Sequence, residues 1–186
     1  MNIKTLTQAD AARWDEFVFS CPSATFFHRA GWQQVIEKAF GHKCVFLFAE
    51  IDGKIQGVLP LAEVKSRLFG HSLVSLPFCV YAGIAAENDV AYAALDRAAQ
   101  ELAQKLAVEH LEYRTLEARH PDWLHKELYV TFRKAIDPDV EANMLAIPRK
   151  QRAMVRKAIK FGLEGQLDEG IERFFTAYST SVHRLG

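Results

Sequence analysis

Cysteine is scarce and carries no pairing pattern. Only Cys21, Cys44 and Cys79 occur, widely spaced and without a C-x-x-C pair, which excludes a disulfide framework and a structural zinc site and points to a reducing compartment. No apolar run approaches the roughly 18 residues of a membrane-spanning helix. Met1 leads into Asn2, Ile3, Lys4 and Thr5 without the apolar core of a signal peptide, so a cytoplasmic setting is expected. With 6 prolines and 10 glycines in 186 residues, collagen-like and low-complexity chains are excluded as well. No internal repeat, catalytic triad, P-loop or dinucleotide fingerprint is present.

What remains is the composition of an ordinary globular protein, 49% hydrophobic and 25% charged. At about 150 residues per domain, the length gives one domain and a surplus. Lys and Arg total 23 against 23 Asp and Glu, yet residues 1–148 hold 15 basic and 19 acidic side chains while residues 149–186 hold 8 and 4. Two stretches of opposite sign in one chain suggest different modules or different partners.

Periodicity supplies the elements. Residues 3–6 read as a strand, and Thr7-Gln8-Ala9-Asp10 as a capping-box start to a helix bearing Trp14, Phe17 and Val18. A second helix over 30–39 places Trp32, Val35, Ile36 and Ala39 on one face and closes at Gly41. Strands are expected over 44–51 and 55–64 around an Asp52-Gly53 hairpin turn, with Pro60 implying an edge or a bulge. Another strand is expected over 73–78. Asn88 caps a long helix to about residue 109 whose apolar stripe is Ala91, Leu95, Ala98, Leu102 and Leu106. Strands follow over 110–116 and 129–136. From Asp139 the pattern is helical, broken at Pro148, resumed over 149–161 and again over 169–181, with 163–167 as a further candidate strand. This last part is too small to bury a core of its own, so the chain is expected to be the beginning of a longer protein, with domains at 1–138 and 139–186.

The basic segment is the most informative chemically. Arg149, Lys150, Arg152, Arg156, Lys157 and Lys160 lie within twelve residues that contain no acid. On a helix Arg149, Arg152, Arg156 and Lys160 align, with Lys150 and Lys157 beside them, while Met154, Val155, Ala158, Ile159 and Phe161 fall opposite as a core-facing side. A solvated surface helix normally mixes signs to gain i,i+4 pairs, whereas an unbroken cationic face suits an anionic ligand. Three arginines on that face favour forked recognition of phosphate or carboxylate. Candidates are tRNA, a nucleotide-linked sugar, coenzyme A and, last, an anionic membrane.

Other features rank lower. Residues 77–88 run from a strand end through the Tyr81-Ala82-Gly83 turn to the long helix; Glu87 and Asp89 argue for plain capping over a phosphate cradle, with Tyr81 kept as a ligand contact. Arg67-Leu68-Phe69-Gly70-His71-Ser72 has the spacing of a coenzyme A pyrophosphate loop, but a strand follows it, so it reads as a turn. His120-x-Asp122-x-x-His125 lacks a third strong ligand and no metal is expected there. Cys79 has no base paired with it and reads as a small buried apolar side chain.

Three stretches carry a family resemblance: Phe27-His28-Arg29-Ala30-Gly31-Trp32, Leu76-Pro77-Phe78-Cys79-Val80-Tyr81-Ala82-Gly83, and the run from Ile147-Pro148-Arg149 through Lys160-Phe161-Gly162-Leu163. With the element order β-α-α-β-β-β-α-β-α-β, they resemble the FemAB branch of the GNAT acyltransferase superfamily. Val74-Ser75-Leu76-Pro77-Phe78-Cys79 and Ser181-Val182-His183-Arg184-Leu185-Gly186 are similar to FemAB-related proteins of the exosortase (PEP-CTERM) system. The resemblance implies an α/β (α+β) GNAT-like mixed sheet flanked by helices, with the start of a second GNAT-like unit. It implies acyl or aminoacyl transfer from acyl-CoA or aminoacyl-tRNA to a cell-envelope or exopolysaccharide acceptor, no tightly bound cofactor, and substrate contacts at Trp32, Tyr81, Gly83 and the basic helix. No catalytic residue follows from it. Relatives continue beyond the position of Gly186, so this chain alone is expected to be inactive. Fem peptidyltransferases tend to carry a lysine four residues after the helix tryptophan to meet the precursor's phosphates, where this sequence has Ile36, which implies a different acceptor. The alternative from another class is a non-catalytic module gripping RNA or an anionic glycan with the helix at 149–160.

Overall fold

The computed structural model describes Met1–Gly186 apart from Phe69 and Glu127. Its contacts divide the chain into two units, Met1–His125 and Lys126–Gly186. The segment 126–138 clusters with the second of these units.

In the first unit β1 (Asn2–Thr5) is followed by α1 (Ala11–Ser20) and α2 (Trp32–Phe40), then β2 (Lys43–Ile51), β3 (Lys54–Ser66), β4 (Gly70–Val74), the two-residue β5 (Ala85–Ala86), α3 (Asp89–Leu106) and β6 (His110–Glu112). The sheet order is β1-β2-β3-β4-β6, with β5 on β3. All pairs are antiparallel except β4 with β6. A mixed sheet flanked by helices is the expected fold class, and the parallel pair needs the α3 crossover between its strands.

Local chemistry explains these elements. The Asp10 carboxylate accepts from the Thr7 N–H and hydroxyl at the start of the first helix. The β2–β3 hairpin turns through Asp52 at φ 48° and Gly53 at φ 79°, the left-handed pair that an Asp-Gly turn provides. Asn88 Oδ1 accepts from Ala91 N at 2.9 Å and caps α3. Pro60 lies inside β3 opposite Phe46, not at the end of a strand. On the other side of β3, β4 ends opposite Ala62 and β5 begins opposite Val58, so the proline occupies a gap in the ladder where its missing donor costs nothing. The register irregularity sits elsewhere, at Ala49/Glu50.

Period-two alternation sends side chains to two cores. Phe46, Phe48, Val58 and Ala62 face α1 and α2 with Trp14, Phe17 and Ile36, while Leu47, Ala49, Leu59, Leu61 and Leu73 face the Ala91, Leu95 and Ala99 stripe of α3. Burying a leucine such as Leu95 contributes about 1.5–3 kcal/mol.

Several strands end earlier than their pattern predicts. β4 stops at Val74 because the chain turns sharply at Leu76, φ 57°, and Phe78, φ 66°. β6 stops at Glu112 because the Arg114 N–H goes to the Ser75 side chain at 2.7 Å instead of a strand carbonyl. The expected turn at 67–72 is seen at Arg67 and Leu68, with Phe69 outside the described residues, and Gly70 already begins β4.

The second unit holds α4 (Val140–Ala146), α5 (Arg149–Lys160) and α6 (Glu172–His183). The strands expected at 129–136 and 163–167 do not form: these residues pair with no strand among the described residues. A strand pattern such as Tyr129-Val130-Thr131-Phe132 becomes a strand only where a ladder partner is supplied. None of the described residues of this unit is buried.

Candidate functional site

Each unit presents one candidate binding element. In the first, the residues around α2 and the strap 75–84 form an aromatic cluster. Thr25 opens a short 3-10 turn over Phe26–His28 and accepts from Phe27 N at 3.3 Å. The same turn pins His28. Its Nδ1 accepts from Thr25 N at 3.0 Å, so Nε2 carries the hydrogen and donates to the Gly83 carbonyl at 2.9 Å. Trp14 Nε1 donates to the His28 carbonyl at 2.6 Å, and burial holds the His28 pKa below its ordinary value against the opposing influence of the Gly83 carbonyl. His28 is therefore a neutral brace between two loops and not a proton carrier.

Beside that brace the rings pack together. Phe27 lies 5.8 Å from both Trp32 and Tyr81, and Phe26 lies 5.7 Å from Trp32. Trp32 Nε1 donates to the Phe26 carbonyl at 3.1 Å, which fixes the half-buried indole. Gly83 is buried, and a Cβ there would collide with Thr115 Cγ2, so glycine lets the strap lie against the chain leaving β6. Ala82 N donates to the Arg114 carbonyl at 3.0 Å along this seam. Trp32, Tyr81 and Gly83 are thus brought together. Ile36, at the position where Fem peptidyltransferases tend to carry a lysine, is fully buried on the core side of α2.

Cys79 lies in the strap with its thiol pushed up to about 11 by burial, so it is not a nucleophile. Burial pushes Cys44 up to about 12. His120 Nε2 donates to Asp96 Oδ1 at 3.1 Å, and the ring stacks on Trp123 at 4.0 Å. No group of three His, Cys, Asp or Glu that could hold a metal ion occurs among the described residues.

In the second unit, Arg149, Arg152, Arg156, Lys157 and Lys160 line a surface hollow of about 550 Å³ on α5, and Lys150 stands outside it. None of the six forms an ion pair among the described residues. Arg152 is nevertheless committed: its guanidinium donates to the Leu145 carbonyl at 2.9 Å and twice to that of Ile147, at 3.0 and 3.3 Å, closing the end of α4. Lys157 Nζ sits 5.5 Å from the centre of the Phe161 ring. The opposite side of α5 is not a core. Met154 and Ile159 are each 63% exposed, because no element of this unit covers them.

His28, Thr25 and Phe26 were not singled out from the sequence by themselves. The available signal was Thr25 three residues before His28, the spacing of a helix-capping pair.

No family model matches the chain, and no curated protein matches it. Solved structures do resemble it. The apo aminoglycoside antibiotic 6'-N-acetyltransferase AAC(6')-IG from Acinetobacter haemolyticus has a TM-score of 0.48 and 19% identity over 74% of this chain and 100% of that one. Aminoglycoside N-acetyltransferase AAC(6')-Iy in complex with CoA has a TM-score of 0.48 and 12% identity over 73% and 100%. FemX has a TM-score of 0.45 and 24% identity over 56% of this chain, but only 25% of its own length is spanned. Likenesses of this size name no substrate. No helix among the described residues is long and apolar enough to cross a membrane.

Proposed function

We propose that this chain belongs to an acyl- or aminoacyl-transferase of FemAB type, resembling the exosortase (PEP-CTERM) branch. The acyl donor is acyl-CoA or aminoacyl-tRNA and the acceptor a cell-envelope or exopolysaccharide component, with substrate contacts at Trp32, Tyr81 and Gly83 in the first unit and on the cationic face of α5 in the second. An acceptor amine or hydroxyl attacks the thioester or ester carbonyl, the acyl bond to sulfur or oxygen breaks, and the acceptor's proton passes to the departing thiol or 3'-hydroxyl. Catalysis rests on positioning and polarisation of that carbonyl. No side chain of the first unit is assigned as base, since His28 is braced and Cys79 is held as a thiol. With the apolar sides of α5 and α6 bare, turnover is not expected from these residues alone.

The observation that carries this reading is the run of cations on α5 with no acid between them and no ion pair to neutralise them among the described residues. Binding there releases counterions, so each lost phosphate contact lowers the salt slope of log K by roughly 0.7–0.9. The test compares the protein with an R149E/R156E/K160E variant for binding of tRNA and of coenzyme A at two salt concentrations. Loss of binding and a flatter slope support the donor assignment. Equal affinity and slope in both proteins would leave α5 a solvated surface helix. Binding of any polyanion, with no preference for tRNA or coenzyme A, would favour the non-catalytic binding module.

A further inference from the structure

The strap carries a feature that neither binding element uses. Leu76 and Phe78 both adopt positive φ, 57° and 66°, a region that glycine enters freely and L side chains rarely do. Neighbouring positions are firmly held: Leu76 and Cys79 are buried, and the Cys79 carbonyl accepts from Arg114 Nη1 at 3.2 Å. Phe78 between them is 59% exposed, so burial of its ring does not repay the strain. The ring lies on Phe40, itself 47% exposed, with centroids 4.0 Å apart and planes 15° apart, and His42 runs parallel to it at 5.8 Å and 11°. A stacked pair also occurs in the core, where Trp14 and Phe46 meet at 28° with both side chains fully buried; what sets Phe78 and Phe40 apart is that their stack stands exposed. A strained backbone that holds a ring outward, in a stack of parallel faces, is built for a flat ligand.

We propose that Phe78, Phe40 and His42 form a stacking platform for a purine base on a phosphate-bearing ligand. Charge favours such a ligand over a neutral ring. Lys38 and Lys43 flank Phe40 and His42 in sequence, are exposed, and form no ion pair among the described residues. Glu37 is the only acid on α2, and its carboxylate accepts from Cys44 N and Gln33 Nε2, both at 3.4 Å. The His42 ring nitrogens have no hydrogen-bond partner among the described residues and can meet a base edge. Stacking of one base on an aromatic side chain is sequence-tolerant, so a free nucleotide and the single-stranded end of an RNA present the same chemistry. This site is independent of acyl transfer, since it is read by binding alone.

The test uses the full chain and three probes followed by NMR titration: AMP, a short single-stranded oligo(A), and ribose 5-phosphate as the base-free control. Upfield shifts of the adenine protons and tighter binding of AMP or oligo(A) than of ribose 5-phosphate are expected. Preference for AMP identifies a nucleotide source, and preference for oligo(A) an RNA end. F78G should weaken base binding by about 5- to 150-fold, the stacking loss for one base, with an unchanged or higher melting temperature because glycine accepts the left-handed backbone. F40A should weaken base binding in the same direction. The proposal is overturned if ribose 5-phosphate binds as well as AMP and oligo(A), if F78G keeps wild-type affinity, or if F78G lowers the melting temperature, which would make the stack a packing contact. Binding of the chain to neutral phosphatidylcholine vesicles in place of the bases would equally overturn it.

Discussion

In residues 1–125 the apolar sides of α1, α2 and α3 close on the two faces of a sheet, whereas in residues 126–186 the apolar sides of α5 and α6 stay open. Their patterns are alike. Trp14 and Phe17 on α1 are spaced as Phe174 and Tyr178 on α6 nearly are, yet Trp14 is fully buried and Phe174 is 65% exposed. The difference lies in what each helix meets. In the first unit β2 and β3 alternate large residues to both faces, so each helix finds apolar surface to cover. In the second, no strand forms among the described residues, and helices of 7, 12 and 12 residues bury none of their own side chains. An amphipathic helix signals a need for a partner, and tertiary packing supplies most of its stability.

The sharpest way to break this contrast is a pair of truncations. Trp14→Ala removes a ring stacked on Phe46 at 5.6 Å and the donor to the His28 carbonyl, and should cost about 3–5 kcal/mol. Phe174→Ala should stay within about 0.5 kcal/mol. Urea unfolding of both variants in the full chain measures the two values. Comparable losses would mean that α6 is covered in solution.

The next effect concerns the brace in the first unit. His28 has a folded-state pKa depressed from 6.5 by burial. Below that ordinary value the unfolded chain therefore binds a proton that the folded chain resists, and stability falls as the pH drops through about 6.5. Protonation would also abolish the acceptor that Nδ1 offers to Thr25 N. Thermal melting at pH 7.5 and pH 5 should show this loss in the wild type, and less of it in His28→Gln. At pH 7.5 His28→Ala should cost about 1–3 kcal/mol by leaving the Gly83 carbonyl without its donor. Identical acid sensitivity in wild type and His28→Gln would assign the effect to other groups.

These two cases show why some of the molecule was legible beforehand. The Asp52-Gly53 hairpin, the Asn88 cap and the α3 stripe follow from residue types and spacing that act within a few positions, so they could be read directly. The same holds for α5. Strands were over-extended at 73–78, 110–116 and 129–136 because β propensity records a fit to neighbours that the sequence does not display. His28 joins Gly83 across 55 positions, and no local pattern announces such a pair. Trp32, Tyr81 and Gly83 were expected contacts from the family resemblance, but the bond by which His28 holds Gly83 was not expected.

The smallest effect tests the cationic face itself, where Arg152 and Arg156 look equivalent on a helical wheel. In space they differ. Arg152 spends its donors on the carbonyls of Leu145 and Ile147 at the end of α4, where a cation also complements the helix dipole. Arg156 lines the hollow with no ion pair among the described residues. Arg152→Ala should therefore cost about 0.5–1.5 kcal/mol of local stability, visible as faster amide exchange in the last turn of α4 and the first turn of α5. Arg156→Ala should leave those amides unchanged and weaken polyanion binding instead. Because three of the five guanidinium donors are already given to carbonyls, Arg152 has fewer to offer a phosphate, and Arg152→Ala should change affinity less than Arg156→Ala. Equal exchange in the two variants, or a larger binding loss at Arg152, would show that its guanidinium leaves the α4 end in solution and acts as a ligand contact after all.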